Sequence, residues 1–509
     1  MSAFPYLTFL TLLPLIGSIL AAMLPGNRTA FSRAAGLGFS FAALGVVLTL
    51  VLNYDYAAGA IAFVEHHDWI PALKIDYYLG ADGLSLMLLL LTALVTPFAL
   101  LALGSKTTKL SVTLILLLQA TLFGTFTALN FIHWFIFYEL SLVPVFLLIR
   151  MGGSAKATAA AFQFFVYTLL GGFAMLLAFL AIHQATGTFN LITLAGLGHS
   201  GELTTALVKR FAWIGLQPQT IGLLAFGGIF LGLAVKVPVV PFHTWLPDAY
   251  SEAPAPVSML MTGVLSKMGV YGFLRLLMPL FPAQMQQLAT PLLWLALLTI
   301  VFSALAALAQ TDLKRIVAYS SINHLGYCLL GIFAVAAAVH GPANDRAAAM
   351  NGVLLQVFNH GITAAAIFCF IGFLETRSLG LRGLADFGGI RAVAPVLCGL
   401  MGISIFSSLG LPGLNGFAGE FLIFKGSFAL IPWASTVAAV GLFVTAVFLL
   451  GIIQRVFTGP LNERWAKLPD LSLSERITVA PSIALMFVLG IYPQFLINLF
   501  NQTVLHLLP

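Results

Sequence analysis

The stretch that decides the fold is Val235–Arg275, which reads VKVPVVPFHTWLPDAYSEAPAPVSMLMTGVLSKMGVYGFLR. It contains two lysines, Lys236 and Lys267, each in an apolar run long enough to lie inside a membrane. A Pro-rich connection that carries Asp and Glu separates the two runs. A lysine near the centre of a bilayer is costly and by default marks a functional site. The stretch therefore predicts ionisable sites inside a membrane.

The composition of the whole chain is that of a membrane protein. Of its 509 residues, 60% are hydrophobic and 8% are charged, whereas a soluble chain carries about 25% charged residues. We therefore predict an all-α polytopic membrane protein. The net charge of +6 does not indicate nucleic acid, because the basic residues are scattered through short loops. Cys328, Cys369 and Cys398 lack metal-ligand spacing, which predicts buried structural thiols.

Apolar runs predict about fourteen membrane-spanning helices, since a helix needs about 20 mostly apolar residues to cross a bilayer. We number them spans 1–14 in chain order. Their predicted limits are 7–24, 34–53, 84–104, 110–129, 131–149, 158–183, 220–240, 257–278, 289–310, 316–339, 350–374, 392–424, 432–454 and 478–499. Span 1 lacks the positive residues that precede a signal peptide, so we predict a spanning helix there.

The distribution of lysine and arginine predicts the orientation of the chain. Most of these residues, Arg28 and Lys106 among them, lie in the connections that follow odd-numbered spans. Basic connections stay in the cytoplasm. The odd connections are therefore predicted to be cytoplasmic, and both termini to lie on the non-cytoplasmic side.

Two spans are interrupted by helix-breaking residues. The breaks follow Lys236 in span 7 and precede Glu420 in span 12. The breaking residues are Pro238, Pro241, Gly410, Pro412 and Gly413. Proline removes a backbone donor, and backbone freed inside a membrane must line a cavity or be buried in protein. Paired breaks in two halves indicate a transporter site.

The positions of the breaks predict two inverted five-helix repeats, spans 4–8 and spans 9–13. Each break falls in the fourth member of its repeat, and an odd number of helices gives the repeats opposite orientations. The predicted domains are 1–109 with spans 1–3, 110–278 with the first repeat, 279–455 with the second repeat, and 456–509 with a connection and span 14.

Four formal charges lie deep in apolar spans: Glu139, Lys236, Lys267 and Glu420. We predict that Glu139 pairs with Lys236 and changes the proton affinity of the lysine. The alternative is a static ion pair that fixes the packing of the helices. Lys267 has no acid within one helical turn in the sequence, which is consistent with a proton relay. The alternative is that its side chain extends to the membrane interface. Glu420 follows a helix break and is the third candidate site. The alternative is a structural role near the break.

Two histidines, His324 and His360, lie between Lys267 and Glu420 in chain order. They fit a proton relay, and hydrogen-bonded core histidines are the alternative. His243, Asp248 and Glu252 lie in the connection after span 7 and are candidates for proton uptake. The chain has no nucleotide-binding, haem or Fe–S motif. It is therefore predicted to hold no redox or nucleotide centre and no metal, so its energy comes from elsewhere.

Several of these motifs resemble a known family. They are PFHTWLPDAYSEAPAPVSMLMTGVLSKMGVYGFLR, FYELSLVPVFLLI, DLKRIVAYSSINHLGY and FNHGITAAAIF. Together they resemble the antiporter-like subunits of respiratory complex I, and the similarity covers essentially the whole chain. In span 12, LGLPGLNGFAGEF resembles the M-type branch, which has glutamate where the L- and N-types carry lysine.

The resemblance implies a fold of fourteen helices with inverted repeats and a proton relay through this chain. The relay residues it implies are Glu139, Lys236, Lys267, His324, His360 and Glu420. In that relay Glu139 would modulate the proton affinity of Lys236, and Lys267 would pass the proton on. Glu420 would be the exit-side site.

The implied function is that of a proton-translocating subunit of NADH:quinone oxidoreductase. NADH, FMN, Fe–S clusters and quinone would then belong to partner subunits, and the neighbours would include L- and N-type chains, lipid and channel water. The bacterial plasma membrane is the first expectation for the location, with thylakoid and mitochondrial inner membranes as alternatives. The alternative functions are a subunit of a multisubunit cation/proton antiporter, of a ferredoxin- or hydrogenase-linked relative, or a structural scaffold.

Overall fold

The computed structural model describes residues 4–25, 29–104 and 107–508. Arg28 and Lys106, two of the basic residues used to predict the orientation, lie outside these ranges. Within them, 13 helices are long and apolar enough to cross a membrane. These are spans 1–11, 13 and 14, with bounds Tyr6–Met23, Thr29–Leu52, Gly83–Ala102, Lys109–Thr127, Phe131–Arg150, Ala155–Thr186, Pro218–Lys236, Ala255–Leu280, Ala289–Leu308, Leu313–Ala337, Ala343–Arg377, Pro432–Phe457 and Leu473–Ile491.

Span 12 consists of two shorter helices, Pro395–Ser408 and Asn415–Leu430. Counting them as one broken span gives the predicted number, and the polytopic helical class is confirmed. Described residues at the odd-numbered connections contact one another, as in the ion pairs Arg382–Glu252, Arg382–Asp312 and Arg377–Glu475, and we call the face that they form the basic face. The inverted repeats and the domain limits stay predictions.

Both predicted breaks are present. Span 7 ends at Lys236, and a further helix, Trp245–Glu252, follows eight residues of turn. The carbonyls freed at this break are satisfied by protein, because the Trp245 indole donates to Val235 O at 3.0 Å. In span 12 the turn contains Gly410 and Gly413, whose φ values of +80° and +92° favour glycine.

Spans 5 and 8 are also irregular, which hydropathy did not predict. Span 5 is divided at Ser141 into Phe131–Leu140 and Leu142–Arg150. Span 8 contains two π-helical turns, Met261–Leu265 and Phe273–Leu277. These turns flank the segment that begins at Lys267, and π turns inside helices are frequent at functional sites.

Several short elements lie in the connections. An antiparallel hairpin, β1 Ala62–Ile70 and β2 Ile75–Ala81, occupies the connection after span 2 and was not predicted from the apolar runs. Additional helices outside the spans are Leu191–His199, Glu202–Phe211, Pro282–Gln287 and Gln494–Leu507. Each is shorter than a membrane crossing, so a search for long apolar runs misses it.

The core of the molecule is formed by spans 3, 8, 10 and 11. Almost all residues of these spans are buried, whereas most residues of spans 2, 13 and 14 are at least partly exposed. Lys267, His324 and His360 lie on the buried spans. The ionisable groups are therefore shielded from lipid by surrounding helices.

A carboxylate fixes the connection between spans 13 and 14. Asp470 accepts hydrogen bonds from the backbone N–H groups of Val396 and Leu397, both at 2.9 Å, at the start of span 12. Burial alone raises the pKa of Asp470. The opposite effect is larger and holds the pKa below its usual value: it comes from these two hydrogen bonds, from a third donated by Leu471 N, and from the charge of Arg476. This contribution to stability is therefore present at neutral pH and is lost as the pH falls through the lowered pKa.

A buried ion pair joins span 8 to span 3 on the face opposite the basic face. Arg275 Nη2 lies 2.6 Å from both carboxylate oxygens of Asp82, and the two side chains are 10% and 5% exposed. Asp82 also caps span 3 by accepting from Ser85 N at 3.0 Å. The pair thereby anchors the end of the span that carries Lys267.

We expect Arg275→Met to lower the free energy of unfolding by about 3 kcal/mol, because it leaves the Asp82 charge buried and unpaired. The double variant Arg275→Met/Asp82→Asn removes both charges and keeps a capping side chain, so its loss should be about 1 kcal/mol. Unfolding in a mixed-micelle denaturant series measures both values. Equal losses in the single and double variants would contradict the buried pair as the cause.

Candidate functional site

A continuous row of ionisable side chains crosses the buried core. Lys267 Nζ lies 2.7 Å from His360 Nδ1, and the rings of His360 and His324 have centroids 5.1 Å apart. His324 Nδ1 in turn lies 2.9 Å from Glu420 Oε1. All four residues are at most 6% exposed. The structure thus brings together Lys267, both predicted histidines and Glu420.

The π turn before Lys267 supplies acceptors for its ammonium group. Lys267 Nζ donates to the Thr262 carbonyl at 2.5 Å and lies 3.4 Å from Ser266 Oγ. No acid lies within 4.0 Å of Lys267 among the described residues. A charged Lys267 donates to His360 Nδ1, which leaves the neutral His360 ring proton on Nε2. Lys267 is therefore a proton donor held by neutral groups.

The other end of the row is fixed by polar side chains near the break in span 12. Ser408, the last residue of the first half-helix, places Oγ 3.1 Å from His324 Nε2. Gln356 donates to Glu420 Oε1 at 3.2 Å. A small cavity of about 10 Å³ adjoins these groups, which is room for about one water molecule. The row therefore has space for a bridging water near His360.

Glycines of the broken span permit this close packing. A Cβ atom at Gly410 would lie 2.8 Å from Glu420 Oε2, and one at Gly416 would lie 1.9 Å from the Ser407 carbonyl oxygen. A larger residue at either position would push the Glu420 carboxylate or the half-helix out of place. The break thus positions the carboxylate as well as interrupting the helix.

A set of amides and hydroxyls around the break was not predicted from the sequence. Asn359 donates to the Asn415 carbonyl at 2.6 Å, and Thr363 donates to Asn415 Oδ1 at 3.2 Å. Ser407 also donates to that oxygen. Asparagine immediately before His360 was a visible signal in the sequence. Its partner at position 415 is 56 residues away and could not be read from the chain.

The Glu139 and Lys236 side chains do not form a direct ion pair, but their charges lie within electrostatic range of each other, and the role of the pair stays a prediction. Among the described residues no ion pair joins them within 4.0 Å, and neither the Glu139 oxygens nor Lys236 Nζ has a hydrogen-bond partner. The Tyr138 ring lies beside the ammonium instead, with its centroid 4.5 Å from Lys236 Nζ. Adjacent residues point in different directions from a helix, so Tyr138 faces Lys236 while Glu139 faces span 6.

Glu139 is seated against a glycine of span 6. A Cβ atom at Gly172 would lie 1.9 Å from Glu139 Oε1. The neighbouring Gly171 contacts Val235 and Gly232, so spans 6 and 7 are in close contact beside this carboxylate. Glu139 and Lys236 therefore lie near each other, but their charged groups are not in direct contact.

The three candidates for proton uptake lie apart from the row. Asp248 forms an ion pair with Arg315. Glu252 lies 2.9 Å from Arg382 and accepts from Ser154 Oγ at 2.8 Å. His243 is buried against Phe302, with ring centroids 5.2 Å apart. Both carboxylates are thus held by arginines, and their role in uptake stays a prediction. In the described part of the chain, no group of three or more His, Cys, Asp or Glu residues is placed to hold a metal ion.

Comparison with known families identifies the family of the chain. Residues 128–448 match the profile described as NADH:quinone oxidoreductase/Mrp antiporter, TM. The chain belongs to this family. The matched region includes all four members of the row as well as Glu139 and Lys236.

Members of the NADH:quinone oxidoreductase/Mrp antiporter family are similar over almost the full length. NADH-quinone oxidoreductase subunit M of Rhodobacter capsulatus is 34% identical, with 98% of this chain and 96% of that protein covered. Subunit M of Mycobacterium tuberculosis is 32% identical, covering 99% and 94%. A chain of respiratory complex I from Thermus thermophilus has a TM-score of 0.84 and 27% identity, covering 99% of this chain and 100% of that chain.

The close contact between Glu139 and Gly172 predicts the effect of adding a methyl group at position 172. We expect Gly172→Ala to destabilise the protein by about 2 kcal/mol, since the methyl would displace a buried carboxylate. Gly227→Ala is the control, because nothing lies within 4 Å of a Cβ there. The free energy of unfolding measures both.

The double variant Gly172→Ala/Glu139→Ala should recover most of the loss, because it removes the group that the methyl meets. If Gly172→Ala and Gly227→Ala have the same stability, Glu139 does not contact Gly172.

Proposed function

We propose that this chain is the M-type proton-translocating membrane subunit of an NADH:quinone oxidoreductase. The observation that carries the proposal is the row of neighbouring ionisable side chains from Lys267 through His360 and His324 to Glu420 in the buried core. The similarity to subunit M over nearly the whole chain supports the type of complex. Redox chemistry, with NADH, FMN, Fe–S clusters and quinone, then takes place in partner subunits.

The row carries a positive charge at one end and a negative charge at the other. Passing a proton from Lys267 to His360, then to His324 and on to Glu420, leaves a neutral lysine and a neutral carboxylic acid. Both charges disappear from a low-dielectric region, which offsets the cost of moving the proton. Reprotonation of Lys267 and release from Glu420 on opposite sides complete one translocation.

Glu139 and Lys236 form the input half in this proposal. An isolated buried lysine holds its proton weakly, and an approaching carboxylate strengthens that hold. Displacement of Tyr138 or of span 6 would change the separation of the two charges. Uptake from the basic face through His243, Asp248 and Glu252 requires that the ion pairs with Arg315 and Arg382 open.

The orientation and the neighbours follow from the same proposal. The basic face is cytoplasmic, both termini lie on the opposite side, and the membrane is the bacterial plasma membrane. Neighbouring subunits are L- and N-type antiporter-like chains. The two breaks, at Lys236 and before Glu420, support inverted repeats at 110–278 and 279–455, because each lies in the fourth helix of its unit.

The family description also includes Mrp antiporters, and purification distinguishes the two assemblies. Affinity purification of the tagged chain from native membranes in mild detergent should recover Fe–S subunits and NADH-oxidising activity. Recovery of small antiporter chains alone would exclude the proposal. Recovery of ferredoxin- or hydrogenase-linked subunits would indicate a different electron donor and would leave the proposed proton path unchanged.

We expect Lys267→Met to lower NADH-driven proton uptake into inside-out vesicles by about tenfold or more, because the row loses its donor. Glu420→Gln should have a similar effect, since its side chain keeps the size but cannot accept the proton. A pH-sensitive dye reports uptake.

His340→Gln is the matched control, because His340 is exposed and lies outside the row. NADH:ferricyanide reduction by the same vesicles reports whether the complex has assembled. A structural scaffold would give normal proton uptake in both row variants, with assembly unchanged.

A further inference from the structure

A large cavity lies at the basic face, apart from the row. Its volume is about 720 Å³, within the range of pockets that bind drug-sized ligands. It lies between the first turns of spans 4, 8 and 14 and the last turns of spans 3, 5 and 11, with Arg33 of span 2 at its edge. None of Lys267, His324, His360 and Glu420 lines it.

The lining of the cavity is divided between apolar side chains and polar side chains, and we call the polar side chains the rim. Apolar wall residues include Leu101, Leu148 and Phe373. The rim carries Arg33 and the hydroxyl groups of Thr108, Ser111, Ser472 and Ser474. Such a division suits a ligand with a polar head and a hydrocarbon tail.

Among the described residues, Arg33 is the one basic residue of the lining, and the two acids of the lining, Glu375 and Glu475, are each neutralised by a basic residue outside it. Glu375 Oε2 lies 2.8 Å from Lys314 Nζ, and Glu475 Oε2 lies 2.7 Å from Arg377 Nη2. Arg33 donates from Nη2 to the Leu101 carbonyl at 2.7 Å. Its Nε is buried and has no hydrogen-bond partner in the described part of the chain. One guanidinium thus retains donor capacity at the rim.

The cavity opens beside surface that faces hydrocarbon. Ile477 lines the cavity and is 59% exposed. Leu473, one turn earlier on span 14, is 74% exposed. A ligand can therefore enter sideways from the bilayer, at the depth where headgroups meet the ends of the helices.

We propose that this cavity binds an anionic phospholipid. Its phosphate is held by Arg33 and the rim hydroxyls, and an acyl chain lies along Leu148 and Phe373. Arginine suits a phosphate because its N–H donors are arranged in a fork. The positive-inside side of a membrane is also where anionic lipids attract basic residues. The proposal rests on the orientation proposed above, and it does not depend on the proton path.

Photo-crosslinking tests the site in the full chain, within the assembly in which it purifies. The chain is reconstituted in vesicles that contain either phosphatidylglycerol or phosphatidylcholine with a diazirine on one acyl chain. After illumination, peptide mass spectrometry maps the labelled residues. We expect labelling at Phe373 and Ile477 to be about fivefold stronger with phosphatidylglycerol, since one basic residue contributes about 1 kcal/mol to anionic lipid binding.

Four variants test the role of individual residues. Arg33→Gln should remove the preference for phosphatidylglycerol, and Arg33→Lys should restore part of it. Arg464→Gln, which changes an exposed arginine outside the cavity, should leave it unchanged. Thr376→Trp places a bulky side chain at an exposed position in the lining and should block labelling with either lipid.

Several results would overturn the proposal. They are equal labelling by the two lipids, full displacement of phosphatidylglycerol by inorganic phosphate, and labelling only after partner subunits are stripped away. The second result would indicate a free anion site, and the third would indicate that a neighbouring subunit covers the cavity. Absence of labelling at Phe373 and Ile477 would indicate a water-filled vestibule.

Discussion

The free-energy cost of a charge in hydrocarbon is the constraint on which this structure depends. A lone ammonium or carboxylate in that environment needs hydrogen bonds, a counter-charge or a neutral form. Lys267 and Glu420 satisfy this need at opposite ends of a row, with two imidazoles between them. The most buried spans enclose that row, and the less buried spans separate it from lipid. The packing of the helices thus follows the position of four side chains.

The two groups of buried charges meet this constraint differently. Every member of the row has a partner within hydrogen-bond distance. Lys236 instead lies over an aromatic ring and Glu139 lies against a glycine, without a hydrogen bond to either charged group within the described residues. Because a buried charge without hydrogen bonds is costly, the charges of Glu139 and Lys236 are more sensitive to a shift of spans 5–7 than those of the row.

Much of this was visible in the sequence, because expensive residues stand out in a chain with 8% charged residues. The spans, both breaks and the membership of the row could be predicted from apolar length and from isolated ionisable groups. The contacts could not, since Lys267 and His360 are 93 residues apart. The predicted pairing of Glu139 with Lys236 has the form of an electrostatic interaction without direct contact, because chain order does not specify which way adjacent side chains face. The hairpin Ala62–Ala81 was missed because short half-exposed strands carry little hydropathy signal.

Span 11 has a mechanical consequence. It is one uninterrupted helix of 35 residues, about 52 Å long at 1.5 Å per residue. One end is held by the pair Arg377–Glu475, and the other half is tied through Asn351 to Asn501 of the C-terminal helix. His360 lies near its middle. Span 14 and the C-terminal helix therefore hold span 11 near both of its ends. Loss of either contact would let His360 shift relative to span 8 and would change its 2.7 Å contact with Lys267.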